Sequence, residues 1–160
     1  RLSRAADQII SAVSLAREME VPKRADAGRV MEVFAQQMQS RLIADMIVTK
    51  PAFMDQPAGR GFQSPWGDPV SIYFYPSTQG MRLEGPISAS ACRRLLFLYA
   101  KDAGELGLRR VDVRNEAVSD AWRLVFELSG GDAKQQISQS AIYTGCGEDG
   151  QVELSLSFSL

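Results

Sequence analysis

At 160 residues the chain is sized for one domain with a core of its own, and with 45% apolar and 23% charged residues it has the composition of an ordinary globular protein. A net charge of −1 leaves no basic excess to hold phosphate backbones, so nucleic-acid binding is not expected. The lack of histidine excludes a Ser-His-Asp or Cys-His nucleophile pair and any His-ligated zinc or iron site; two cysteines alone do not close a structural zinc site, and no apolar run is long enough to span a membrane.

The chain opens RLSRAADQII, without methionine and already in helical rhythm. That reads as the remainder of a longer helix, with a processed mature start as the alternative; no signal peptide is visible, so any targeting segment was removed or never present. Over residues 1–20, Leu2, Ala5, Ala6, Ile9, Val13 and Ala16 form one stripe at helical spacing, with Arg4, Gln8 and Arg17 off it. Leu15 also lies off the stripe and reads as a surface leucine, or else as a contact to a neighbouring subunit. Val21-Pro22 ends the helix, and Asp26 is placed to cap a second one. There Val30, Phe34, Met38 and Leu42 recur every four residues, a pattern that fades by about Met46.

Residues 49–68 are rich in proline and glycine and read as a loop. Gly59-Arg60-Gly61 is only superficially a phosphate loop, since it lacks the lysine-serine tail and opens no helix. Val70, Ile72 and Phe74 then alternate with Ser71, Tyr73 and Tyr75, which predicts a strand; Ser77–Gly80 is a turn and MRLEG a short return strand. Ser88 is an N-cap for a helix that puts Cys92, Leu95, Leu96 and Tyr99 on one inward face and stops near Gly104 or Gly107.

Val111 and Val113 mark a short strand. A second is expected in AWRLVFEL, with Trp122, Leu124, Phe126 and Leu128 on the buried side, and a short helix over 132–143, capped by Asp132, with Ile137 and Ala141 inward. The tail VELSLSFSL alternates strictly from Val152 to Leu160, giving one buried and one wet face, as in an antiparallel sheet. The order helix, helix, hairpin, helix, strands is that of an α+β fold with helices on one face of an antiparallel sheet.

Two readings of Cys92 and Cys146 stand on count and spacing. One is a disulfide pinning the inward face of the helix to the terminal strand, in an oxidising compartment; the other is a pair of buried, reduced thiols. No C-x-x-C suggests redox work. Glu148 and Asp149 read as a solvated turn rather than a calcium loop, and Arg109, Arg110, Asp112 and Arg114 as a charged patch, either solvated or pairing subunits.

Four features in order resemble the type IVb pilins: the amphipathic helix at the start, Phe62-Gln63-Ser64-Pro65-Trp66-Gly67-Asp68-Pro69-Val70 leading into a strand, Ile87-Ser88-Ala89-Ser90-Ala91-Cys92-Arg93-Arg94-Leu95 opening a helix, and Ala141-Ile142-Tyr143-Thr144-Gly145-Cys146 before a turn and an alternating C-terminal strand. Asp68 departs from the pattern, standing where a second glycine is common in that family. The resemblance implies a single pilin globular domain: residues 1–20 as the remainder of a spine helix packed on the sheet, 21–68 as the αβ-loop region with a helix, and 69–160 as the sheet and a D-region closed by a Cys92–Cys146 disulfide. It further implies a non-enzymatic subunit, without cofactor or metal, that self-associates into a helical surface filament. Its other partners would be the pilus assembly machinery and a host or mating-cell receptor. The full-length form would sit in the inner membrane before assembly, and the filament would serve adhesion, aggregation or conjugative transfer. The alternative is a minor or tip pilin, or a pseudopilin, that binds a receptor or initiates assembly.

Overall fold

The computed structural model describes residues 2–40, 59–63, 69–130 and 134–160. In chain order these form α1 (Leu2–Glu18), α2 (Ala27–Ser40), β1 (Gly59–Gln63), β2 (Pro69–Tyr75), β3 (Gly80–Ser88), α3 (Ala89–Ala100), β4 (Leu108–Arg114), β5 (Arg123–Glu127), α4 (Gln139–Cys146) and β6 (Gln151–Ser159). The strands make one sheet in the order β1-β2-β3-β6-β4-β5, with every neighbouring pair antiparallel. The fold is therefore α+β, with the C-terminal strand inserted at the centre of the sheet. Among the described residues no helix is long and apolar enough to cross a membrane.

Strand alternation builds the core. One row across the sheet runs Ile72, Leu83, Leu156, Val111 and Phe126, and the next runs Phe74, Met81, Phe158 and Leu108; all are buried. Helices cover this face: α2 packs on β2 and β1, α3 on β3 and β6, and α4 on β4 and β5, while α1 packs against α2 and α3. Asp26 accepts from the Arg29 amide at 3.2 Å, and Val30, Phe34 and Met38 are buried; Phe34 meets Phe74 edge-on at 5.1 Å. Leu42 and the end of the periodic pattern near Met46 lie outside the described residues, as do Asp132, residues 49–58 and the Ser64–Asp68 part of the family-like segment.

Several expectations are corrected. Leu15 is buried, not a surface residue. With both α2 and α3 against α1, its apolar arc widens to take in Ala12 and Leu15 beside the original stripe. Residues 59–63 form an edge strand rather than a loop, with Gly59 opposite Tyr73 and Gln63 opposite Pro69. Pairing with the open edge of β2 satisfies the backbone there and overrides a weak intrinsic strand preference. Strand β5 is out of phase with the alternation read from sequence: Val125 and Phe126 are both buried, whereas Trp122 and Leu124 are exposed. Val111 faces Phe126 but Asp112 faces Leu124, so Val125 is the extra residue of a β-bulge, and the bulge shifts the phase. The helix expected over 132–143 instead begins at Gln139, capped by the Ser138 hydroxyl, and runs through Cys146. The wet face of β6 is also less wet than alternation implies, because Ser155 is buried in the middle strand between Glu84 and Asp112.

Two long-range anchors were invisible as motifs. Arg17, on the last turn of α1, donates from Nε (3.0 Å) and Nη2 (2.9 Å) to the Ser159 carbonyl and from Nη2 to the Leu106 carbonyl (2.7 Å). Burial lowers its pKa from the ordinary arginine value. Gly107, at φ +73°, sits against that guanidinium: a Cβ there would fall closer than 3.0 Å to Nη2. The Tyr99 hydroxyl donates to the Ala6 carbonyl at 2.8 Å; burial first, and the Asp7 charge second, push its pKa up.

Candidate functional site

The unit closed by the two cysteines is the first candidate. Ser88 caps α3 by accepting from the Ala91 amide at 3.1 Å, which places Cys92 in the first turn with its side chain inward. Cys146 is the last residue of α4. The two are joined by a disulfide, with Cα atoms 5.8 Å apart across a sequence separation of 54. The bridge pins helix to helix, not helix to terminal strand as expected, because α4 extends through Cys146 and β6 starts only at Gln151.

Contacts beside the bridge reinforce the same seam. Phe97 and Tyr143 meet edge-on at 5.6 Å, Arg93 lies 5.9 Å over the Tyr143 ring, and Arg93 donates to the carbonyls of Gly147 and Glu148. Gly145 lets α4 settle on β5, since a Cβ there would fall closer than 3.0 Å to Val125 Cγ2. The segment between the cysteines holds β4, β5 and α4 and presents Val118, Trp122 and Leu124 to solvent, with Arg114 lying 4.9 Å over the Trp122 ring. Glu148 and Asp149 stand in the exposed turn before β6, and among the described residues no three carboxylates or thiols gather as a metal set would require.

The uncovered face of the sheet is the second candidate. Its rows run Ser71, Glu84, Ser155, Asp112, Leu124 and Tyr73, Arg82, Ser157, Arg110, Glu127. Arg82 stacks over Tyr73 at 4.6 Å and Tyr75 at 5.6 Å. Arg110 grips Asp112 through Nε (2.7 Å) and Nη2 (3.1 Å) and reaches Glu127 through Nη1 (2.8 Å); the Asp112 hydrogen bonds raise its pKa. Glu153 on the same face is half-buried; burial raises its pKa, Arg114 opposes the rise, and Glu84 and Glu116 add to it. The charged run Arg109–Arg114 thus splits: Arg110 is tied into carboxylates, Arg114 lies beside Glu116 at 3.4 Å, and among the described residues Arg109 bonds only neutral acceptors.

Comparison with known proteins returns no match: no family model, no curated protein and no solved structure aligns significantly with this chain.

Proposed function

We propose that this chain is the globular head of a type IVb pilin-like subunit, a structural protein that polymerises into a filament on the bacterial surface. The observation that carries this reading is the disulfide between the first turn of α3 and the last residue of α4. It encloses β4 and β5, the two strands at one end of an antiparallel sheet whose central strand is the C-terminal β6. The four motifs in the sequence have the order expected of that family, and the long helix α1 lies against the other helices with its end tied to β6 by Arg17. An oxidised bridge fits an extracytoplasmic protein. In this reading no cofactor is needed, and the surfaces that matter meet other copies, the assembly machinery or a receptor.

The test is made in the cells that carry the gene. Filaments sheared from the surface are analysed by mass spectrometry, and the gene is deleted. The chain is expected as a dominant component, with filaments lost on deletion. Its absence from the filaments, together with unchanged filaments after deletion, would overturn the reading. A trace amount in otherwise intact filaments favours the second reading, a minor or tip subunit, which a cavity of about 390 Å³ on the outer sheet face, lined by Tyr75, Arg109 and Ser157 among others, supports.

A further inference from the structure

At the β2–β3 turn the outer sheet face holds a cavity of about 390 Å³, within the ~300–1,000 Å³ range of small-ligand sites. Its origin is local. Tyr75 pairs with Gly80, and Gly80 with Ser159, so the row that ends the face has a glycine and a serine where bulk would fill it. Ser157 forms the floor, Tyr75 and Thr78 one wall, and Arg110 and Glu127 the other.

A second β-bulge decides the chemistry. Leu108 faces Phe158 and Arg110 faces Ser157, so Arg109 is the extra residue. In a regular strand adjacent side chains point to opposite faces; at this bulge Arg109 and Arg110 both line one cavity. Their charges differ in availability. Arg110 makes three hydrogen bonds to the Asp112 and Glu127 carboxylates, which offset its charge. Arg109 donates from Nε to the Ser159 hydroxyl (3.2 Å) and from Nη2 to the Thr78 carbonyl (3.3 Å), and no carboxylate pairs with it among the described residues. Nη1 is left for a ligand, and the guanidinium is held in place by its other bonds.

We propose that this cavity binds a monoanionic acidic sugar of the uronate class, with its carboxylate on Arg109, its hydroxyls on Ser157 and Glu127, and its ring against Tyr75. One uncompensated cation matches one carboxylate. A dianionic phosphate would face the Glu127 carboxylate with a single free guanidinium to hold it, whereas a sugar hydroxyl donates to Glu127. An exposed tyrosine offers the C–H face of a sugar a flat apolar surface. All the lining residues belong to this chain, so the assignment does not rest on the pilin reading.

The test is an amide-resolved NMR titration of the intact chain with sodium glucuronate, glucose and sulfate at fixed ionic strength. Glucuronate is expected to shift the amides around Tyr75, Gly80, Arg109 and Ser157 saturably, with glucose weaker by roughly tenfold or more and sulfate not saturating. Arg109→Gln is expected to abolish the shifts. Gly80→Ala keeps Arg109 but puts a methyl 3.4 Å from its Nη1, and is expected to weaken binding several-fold at an unchanged melting temperature. If Arg109→Gln does not fold, Gly80→Ala decides. No saturable shift, equal affinity for glucose, saturation by sulfate at the same strength, or unchanged binding in Gly80→Ala would overturn the assignment. An oligouronide that binds more tightly than glucuronate assigns the ligand to a polymer, and one that binds more weakly assigns it to the free sugar; both uphold the site.

Discussion

Replacing Gly145 by alanine sets two effects of known size against each other. In a helix interior alanine is favoured over glycine by about 1 kcal/mol, and Gly145, next to the end of α4, gains at most that. Against it stands the contact with β5. The new methyl would fall closer than 3.0 Å to Val125 Cγ2, while lying at ordinary distances of 3.7 Å from Val125 Cβ and 3.8 Å from Val113 Cγ2. Val125 is β-branched and stiff at χ1, it is buried, and it occupies the bulge, so relief requires α4 and β5 to part. Overpacking of this kind costs ~1–3 kcal/mol. Gly145→Ala should therefore destabilise the protein by about 1–2 kcal/mol net. Val125→Ala, which deletes two buried methyl groups, should cost about 1–2 kcal/mol by itself. In the Val125→Ala background the clash is gone, and Gly145→Ala should be neutral or stabilising by up to about 1 kcal/mol. The cycle then carries a favourable coupling of about 2 kcal/mol, well beyond the ~0.5 kcal/mol scatter of independent sites. The assay is urea unfolding of the four proteins, disulfide intact, followed by far-ultraviolet circular dichroism. A Gly145→Ala protein as stable as the parent, or an additive cycle, would refute the account of how α4 docks on β5.

Three further outcomes are expected. Joint replacement of Cys92 and Cys146 by alanine, or reduction, should lower unfolding stability by about 4 kcal/mol on loop entropy for a sequence separation of 54, read from the urea midpoint; a loss under about 1 kcal/mol would mean that the unfolded chain without the bridge is already confined, and would refute the loop-entropy account. Arg17→Met should cost about 2–3 kcal/mol, since it removes charged hydrogen bonds to two carbonyls. Hydrogen exchange should then speed up first at the Ser159 amide, which donates to Gly107, and protection that survives there would show that Arg17 is not the anchor. Glu153 has a folded pKa above its unfolded value, so the folded state holds its proton more tightly, and stability present at low pH is lost as pH rises through the folded value. Glu153→Gln should raise stability at neutral pH by a few tenths of a kcal/mol, given partial solvent screening, and flatten that part of the pH profile; an unchanged profile would place the cause elsewhere.

Much of the architecture was legible because it follows from local periodicity. The stripe of α1, the Val30–Phe34–Met38 face, the alternation in Val70–Phe74 and Val152–Phe158, and the Ser88 cap all need only the neighbouring residues to be read, and each appears as an element of the expected type. What misled the reading were places where a distant neighbour sets the environment. Leu15 is buried because α1 has two helical neighbours, and GRGFQ is a strand because β2 offers it an open edge. Trp122 and Leu124 face outward because Val125 bulges. The candidate cavity was illegible for the same reason, since its parts come from β2, the turn after it, β3, β4, β5 and β6. The run Arg109-Arg110 was visible as charge, but not the bulge that aims both residues at one place.

The sequence by itself determined the class of fold, the burial face of each strongly periodic element and the absence of histidine chemistry, because period and composition are carried by consecutive residues. Only the tertiary structure decided that the bridge joins two helices, that Arg17 closes the end of β6, and that Arg109 on the outer face has no carboxylate partner among the described residues. Those are properties of partners brought together across the chain, and partner identity depends on register and packing, which no local pattern encodes.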